Sequence, residues 1–195
     1  SKTLQLSNNR IAHYFEQGEG EPLVLIHGVG MQAAAWYPQI EYFSKHYHVI
    51  SVDMPGHGQS TKLPADAKLQ DFVEWTIEFI TALNLGPVNL AGHSMGSLIT
   101  TGVSVTRPDL VKRMAVLNGV YKRTPQARNA VIQRAEELKT GRIDVETPLQ
   151  RWFGESEVER IAAAKVKTWL ENVDLSGYTT AYSAFAQGDE TYADD

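Results

Sequence analysis

The chain has 195 residues, a net charge of −5 and no cysteine, with 43% hydrophobic and 21% charged residues. This length suits one domain with a real hydrophobic core, and the lack of cysteine excludes disulfides, thiolate metal sites and a cysteine nucleophile. No basic run and no apolar stretch of roughly 20 residues occurs, so neither nucleic acid nor a membrane is an expected partner. A cytoplasmic location is the default expectation, and we predict a monomer or homodimer that acts on a small molecule.

The first 120 residues alternate short apolar runs with helical patterns. Strands are predicted at 4–6, 10–15, 22–26, 47–52, 88–91 and 114–117, and helices at 33–45, 69–83 and 95–106. Strands that alternate with helices predict an α/β fold with a mostly parallel sheet and helices on both faces.

After Gly119 the pattern becomes entirely helical. Helices are predicted at 127–139, 148–153, 158–170 and 178–187. A helical block that follows a parallel sheet predicts a cap over the sheet, which divides the chain into a core (1–120), a helical cap (121–188) and the start of a connection back to the core (189–195). Because the acidic end supplies no closing element, we expect the fold to be truncated before its last strands.

The segment Gly-His-Ser-Met-Gly at residues 92–96 follows a predicted strand and precedes a predicted helix. This is the context of a nucleophile elbow, in which flanking glycines let a serine adopt strained backbone angles on a sharp turn. Ser94 is therefore the predicted nucleophile. The amide of Met95, at the positive end of the helix, is a predicted oxyanion donor, and His93 is expected to contact substrate.

A second motif, His27-Gly28-Val29-Gly30, follows a strand that is apolar throughout. Its glycines let the backbone approach a substrate closely, and the amide of Val29 is the predicted second oxyanion donor. His27, Gly28 and Gly30 are counted among the substrate-binding residues, although packing beneath the loop suits His27 better than proton transfer. A dinucleotide-binding loop is excluded because Ala33 stands where a third glycine is needed.

A third motif, residues 53–60, carries a proline and two glycines and predicts a turn beside the elbow. Asp53 and His57 invite an interpretation as a triad pair. We reject it, because two residues four positions apart in a tight loop have little room to align with a distant serine. The loop is expected to shape the site.

In this order, the three motifs resemble the α/β-hydrolase family over about residues 10–120. The chain is most similar to the capped branch that holds esterases, enol-lactonases, haloalkane dehalogenases, haloperoxidases and meta-cleavage C–C hydrolases. Serine at the elbow excludes the dehalogenases, which carry an aspartate there. The resemblance implies hydrolysis through an acyl-enzyme, with no cofactor, and an acid and a histidine that follow the nucleophile. None of the six histidines follows Ser94, so we expect both outside this chain.

The predicted cap is rich in arginine and aromatic residues. These are Arg123, Arg128, Arg134, Arg142, Arg151, Trp152 and Phe153. Guanidinium groups bind carboxylates in a bidentate manner, so an anionic substrate is conceivable, with Arg123 and Trp152 as predicted contacts. The alternative is that most of these arginines lie on solvated helix faces.

Residues 118–121 and 151–154 also resemble hydrolases of aminomethylene-succinate catabolites, which are small diacids that carry an enamide. The predicted function is therefore serine-dependent hydrolysis of a small ester, lactone or enamide. Two alternatives stay open: a ligand-binding protein or inactive fragment that keeps the fold without catalysis, and a cofactor-free haloperoxidase, which would use the same triad. A metal site is not expected, since no histidine pair on one helix face is joined by a carboxylate.

Overall fold

The computed structural model describes residues 1–195 and contains six strands and seven α-helices. In chain order these are β1 (Lys2–Gln5), β2 (Ile11–Gln17), β3 (Glu21–Ile26), α1 (Tyr37–Phe43), β4 (Tyr47–Val52), α2 (Leu69–Leu83), β5 (Val88–His93), α3 (Met95–Thr106), β6 (Val111–Leu117), α4 (Pro125–Leu138), α5 (Glu146–Trp152), α6 (Glu157–Asn172) and α7 (Leu175–Gln187). The α/β class predicted from the sequence is confirmed.

The six strands form one sheet in the order β1-β2-β4-β3-β5-β6. The first two strands pair antiparallel, whereas β4, β3, β5 and β6 run parallel. Parallel strands end at the same edge of a sheet, so the loops after β3, β4 and β5 meet there. These loops carry the three motifs of the sequence.

The element predictions are confirmed closely for β4, α2 and α3, whose bounds match those predicted. The helix predicted at 33–45 divides instead into a short 3₁₀ turn, Ala33–Trp36, and α1. A proline in the first turn of α1 explains its start, because proline lacks the N–H that this position leaves unused.

The core lies on both faces of the sheet. A cluster of 24 buried residues packs α2 and α3 against one face, with Val24 and Ile26 at 0% exposure. Leu25, between them, points to the other face and packs with Trp36 and Val49 under α1. The apolar run of β3 is thus buried on both sides, as is typical of a central parallel strand.

Helices α4 to α7, called the helical layer below, follow β6. Three of them begin at side-chain caps, in which Thr124, Ser156 and Asp174 accept a backbone N–H three residues later. A small apolar cluster that includes Leu138 and Leu170 holds the layer together. No helix of the protein has both the length and the apolar character that a membrane span requires.

Asp189 ties the two ends of the helical layer together. It accepts a hydrogen bond of 2.7 Å from the Arg123 N–H and forms ion pairs with Arg123 Nη1 at 3.1 Å and Arg128 Nη2 at 3.0 Å. Burial works against the charged carboxylate, but the hydrogen bonds from Arg128 and Arg123 outweigh it and lower the pKa of Asp189. The sequence offers no local signal for this pairing, which joins residues more than 60 positions apart.

Candidate active site

Ser94 lies on the sharp turn between β5 and α3. Its backbone has φ 55° and ψ −117°, a conformation that side-chain-bearing residues rarely adopt, and its N–H donates to Leu117 O at 3.0 Å. A Cβ on Gly92 would collide with the carbonyl oxygen of Gly96, and one on Gly96 would collide with that of Ile26. The two glycines are therefore a steric requirement of the elbow.

Two backbone donors without protein acceptors lie near this serine. Gly28 approaches it so closely that an added Cβ would be 3.3 Å from the Ser94 Cβ. The next residue, Val29, lines the same cavity as Ser94, and its N–H donates no hydrogen bond within the protein. Met95 is the first residue of α3, where an N–H has no acceptor inside the helix. Such a pair of donors, with the helix dipole, suits the stabilisation of an oxyanion.

His27 and His57 are buried beneath the cavity and join two loops. His27 Nε2 accepts the N–H of Met54 at 2.9 Å, and His57 Nε2 accepts the N–H of Gly30 at the same distance. Burial lowers the pKa of both imidazoles, to about 3 for His57. Both side chains are therefore neutral at pH 7.

Asp53 is engaged in the same region, but its partner is His13. Its carboxylate lies 2.7 Å from His13 Nδ1 and also accepts the N–H groups of Ala33 at 2.7 Å and Gln59 at 3.0 Å. It shares no hydrogen bond with His57, so the two residues rejected above as a triad pair do not meet. The His13 contact crosses from β2, and the sequence analysis did not foresee it.

The cavity above Ser94 has a volume of about 750 Å³ and lies between the elbow and the helical layer. Six residues predicted for the site line it: Gly28, Val29, His93, Ser94, Arg123 and Trp152. His27, Gly30 and Met95 do not. Their predicted roles stay predictions: His27 lies under the loop, Gly30 packs against Leu170 and Tyr178, and Met95 is buried.

Three arginines in the cavity wall have no carboxylate partner. They are Arg134, Arg142 and Arg151, which share the wall with the carboxylates of Glu137 and Asp144. Arg134 donates only to Ala130 O, within its own helix, and the Arg151 guanidinium lies 5.8 Å from the Trp152 ring. Arg128 is different, since Asp189 and Glu190 neutralise it outside the cavity.

Arg123 contributes a further donor to the cavity wall. Its side chain is 8% exposed, and its guanidinium stacks 4.5 Å from the Phe185 ring. Nη1 donates hydrogen bonds to Asp189 and to two backbone carbonyls, but the buried Nη2 has no hydrogen-bond partner. An orphaned charged donor is costly, so a ligand acceptor at this position would be favourable.

The sequence analysis did not single out several polar residues of the wall, among them Tyr178 and Tyr182. Tyr178 and Tyr182 lie one turn apart on α7, and Asn118 follows β6 with φ 47°. The spacing of the two tyrosines was a detectable signal, since residues four apart share one helix face. Nothing in the sequence indicated that this face would meet Ser94.

The family described as the alpha/beta hydrolase fold matches residues 21–178. The chain belongs to the α/β-hydrolase family. Its elbow, its glycine-containing loop after β3 and the turn after β4 carry the motifs on which the resemblance was based, and the expected family is confirmed. The protein is a hydrolase.

Relatives of this α/β-hydrolase agree with that assignment. The chain is 84% identical over 194 residues to the (E)-2-((N-methylformamido)methylene)succinate hydrolase of Acinetobacter baylyi, which covers 100% of the chain and 74% of the relative. A crystal structure of the enol-lactonase from Burkholderia xenovorans superposes with a TM-score of 0.82 at 23% identity, over 96% of this chain and 74% of that one. The structure of E-2-(acetamidomethylene)succinate hydrolase superposes with a TM-score of 0.76 at 20% identity, over 96% and 72%. At such identities these two structures support the fold alone.

No imidazole hydrogen-bonds to the Ser94 hydroxyl in this α/β-hydrolase. Five of the six histidines precede the elbow, and His93 lies within it beside the cavity. The general base is therefore unassigned. No group of three or more histidine, aspartate or glutamate side chains is arranged to hold a metal ion.

Proposed function

We propose that this hydrolase cleaves the amide C–N bond of an N-acyl enamine attached to succinate, with Ser94 as the nucleophile. The observation that carries the proposal is the set of three unpaired guanidinium groups in the wall of the cavity that contains Ser94. The 84% identical relative supports it, since the name of that protein specifies an N-methylformamide joined through a methylene carbon to succinate.

In the proposed reaction the Ser94 hydroxyl attacks the acyl carbon and its proton passes to a general base. A C–O bond forms, and the carbonyl oxygen becomes an oxyanion held by the amides of Val29 and Met95. The C–N bond then breaks, and the nitrogen leaves with a proton. Water releases the acyl group from Ser94 as a carboxylic acid, which is formate for a formamide.

The two carboxylates of such a substrate explain the charge of the wall. Arg134 and Arg151 lie on α4 and α5, and Arg142 lies in the loop between them. In this proposal the segment is the cap of residues 121–188 over a core of residues 1–120. Each guanidinium can bind a carboxylate through two N–H donors. Trp152 supplies an apolar surface for the carbon skeleton, and His93 and Gly28 lie on the side of the nucleophile.

Arg123 is the fourth cation that we assign to substrate. Its Nη2 is buried without a hydrogen-bond partner, and its charge is already balanced by Asp189. It is suited to a single hydrogen bond rather than to neutralising a carboxylate. A cytoplasmic location and a monomeric or homodimeric state complete the proposal.

The test is a comparison of (E)-2-((N-methylformamido)methylene)succinate with its dimethyl ester, with formate release as the readout, in the protein as the cell makes it. We expect the kcat/KM of the diacid to exceed that of the diester by at least about 100-fold, because charge-assisted hydrogen bonds contribute about 1.5–3 kcal/mol each. In parallel, fluorophosphonate labelling followed by intact mass measurement counts the labels, and mass spectrometry of the peptides tests whether the label is on Ser94.

The outcomes separate the alternatives. Labelling of Ser94 without a preference for the diacid would overturn the substrate class and leave a serine hydrolase. An unlabelled Ser94, together with saturable binding of the diacid, would favour a ligand-binding protein of this fold.

A further inference from the structure

The loop after β3 and the loop after β4 exchange hydrogen bonds through two histidines. His27, on the first loop, accepts the backbone N–H of Met54 on the second loop. His57, on the second loop, accepts the backbone N–H of Gly30 on the first. The exchange is reciprocal, and the two rings lie 5.2 Å apart, centroid to centroid. We call the four residues the histidine clasp.

The contacts of the two Nδ1 atoms fix the tautomer of each ring in the clasp. His27 Nδ1 lies 2.7 Å from Gly28 O, and His57 Nδ1 lies 3.1 Å from Pro55 O. A carbonyl oxygen only accepts, so both rings carry their proton on Nδ1 and leave Nε2 free to accept a backbone N–H. The rings are 1% and 0% exposed, and burial lowers the pKa of each, so the neutral form persists.

The clasp holds the backbone on both sides of Val29. The Gly28 carbonyl and the Val29 N–H belong to one planar peptide unit and point in opposite directions across it. The proton that His27 Nδ1 donates to Gly28 O therefore helps to fix the direction of the Val29 N–H, together with the Met31 N–H, which donates to the same carbonyl at 3.1 Å. His57 restrains the next peptide unit through the N–H of Gly30.

We propose that His27 and His57 are positioning residues that aim the Val29 N–H at the oxyanion formed on the substrate of Ser94. The inference rests on the proposed function, since it assigns a geometric task to a donor of that reaction. Neither imidazole lines the cavity, so neither is expected to contact substrate. Removing an oxyanion donor outright lowers kcat by about 10²–10³-fold, and a misdirected donor loses part of that contribution.

The helical layer rests on the clasp. Tyr178 packs edge-on against the His57 ring at 6.3 Å between centroids, and a Cβ on Gly30 would lie 3.1 Å from the Tyr178 ring. Tyr178 also lines the cavity, so the clasp supports the substrate wall as well as the oxyanion loop.

The test uses one pair of variants at each histidine, in which one member can replace the hydrogen bond of the imidazole and the other cannot. A glutamine at position 57 places its carbonyl oxygen near the former Nε2, within reach of the Gly30 N–H, whereas an asparagine is one methylene shorter. At position 27 an asparagine places its NH₂ near the former Nδ1, toward Gly28 O, whereas a leucine offers no donor. His46→Leu, at an exposed histidine far from the cavity, is the control.

We expect His57→Asn to lower kcat about tenfold relative to His57→Gln. We expect His27→Leu to lower kcat about 10- to 100-fold relative to His27→Asn, and KM to change less than threefold in both pairs. A boronic acid, which mimics the tetrahedral intermediate, should lose affinity by the same factor, whereas succinate should bind as before. Equal kcat values in the glutamine and asparagine variants would overturn the proposal, as would parallel losses of boronate and succinate binding.

A measurement on the unsubstituted protein keeps the proposal falsifiable if a variant does not fold. ¹⁵N NMR of the imidazoles should show Nδ1 protonated and Nε2 unprotonated in both His27 and His57, and the Gly30 amide should be protected from hydrogen exchange. An Nε2-protonated ring at either position, or a rapidly exchanging Gly30 amide, would disprove the clasp without any assay of turnover. Absent turnover in the unsubstituted protein, with the clasp intact by NMR, would instead count against the proposed function.

Discussion

The floor and the wall of the cavity are built in different ways. The floor consists of the elbow and the two interlocked loops, where backbone groups and buried histidines satisfy one another and Ser94 occupies a strained turn. The wall consists of the helical layer, where Arg134 is half-buried, Arg142 and Arg151 are exposed, and none of the three has a carboxylate partner.

The difference separates reactivity from recognition. An oxyanion is the same for every acyl substrate, so the floor can use backbone donors held by buried contacts. The proposed diacid differs from neutral acyl substrates in its charge, so its recognition would use side chains that remain unpaired until substrate arrives. The predictions below break one region while sparing the other.

The largest effect is expected for Ser94→Ala, which removes the nucleophile from the floor of the cavity and leaves the wall unchanged. Loss of the nucleophile should lower kcat by about 10⁴–10⁶-fold, while the affinity for the diacid stays within threefold, because the arginines are untouched. Steady-state kinetics and calorimetric binding measure the two quantities, with Ser104→Ala as the control. Retained turnover would remove Ser94 from the mechanism.

Asp189→Ala removes the ionic junction between the two ends of the helical layer. The change leaves the buried Arg123 guanidinium without its counter-charge, which should lower the free energy of unfolding by about 3–5 kcal/mol. Urea denaturation measures this loss. Asp194→Ala, whose carboxylate is 80% exposed in its pair with Lys122, should cost less than about 1 kcal/mol. Equal losses in the two variants would show that the junction contributes nothing specific.

Arg151→Leu breaks the wall alone. We expect kcat/KM for the diacid to fall about 10- to 100-fold, since one charge-assisted interaction is lost, while hydrolysis of a neutral ester changes less than threefold. Arg160→Leu is the matched control, because Arg160 is exposed and lies outside the cavity. If both substrates lost activity equally, the wall would not discriminate by charge.

The smallest expected effect is the change in the free energy of unfolding per pH unit. His57 has a pKa of about 3 in the folded protein, because burial and the neighbouring His27 lower it from 6.5. The unfolded chain therefore binds the additional proton below pH 6.5. The contribution of His57 to the free energy of unfolding is therefore complete above pH 6.5. It falls by up to about 1.4 kcal/mol per pH unit on acidification toward pH 3.

The groups facing His57 are His27, itself neutral and near Asp53, and the Tyr178 ring, which stays uncharged because burial raises its pKa. None of these groups changes its charge near neutral pH in a way that would cancel the slope of the free energy of unfolding against pH. Urea unfolding at pH 7, 6 and 5 measures it, and His57→Gln should make it shallower. An unchanged slope in that variant would remove His57 as its source.

The sequence by itself determined the parts of this protein that depend on near neighbours. Apolar runs of strand length, helical periodicity and glycine spacing indicated the sheet, the helices, the elbow and the oxyanion loop, because steric limits on a tight turn act within a few residues. The arginines of the helical layer were visible too, but not which of them would remain unpaired.

Only the tertiary structure decided how distant residues pair. Gly30 meets His57, His13 meets Asp53, and Arg123 meets Asp189 across separations of 27, 40 and 66 positions. A buried polar group must find some partner, but which one depends on the order of the strands and the packing of the helices. For that reason the sequence predicted His27 as a substrate contact, whereas the fold places it beneath the oxyanion loop, where its two nitrogens hold the backbone.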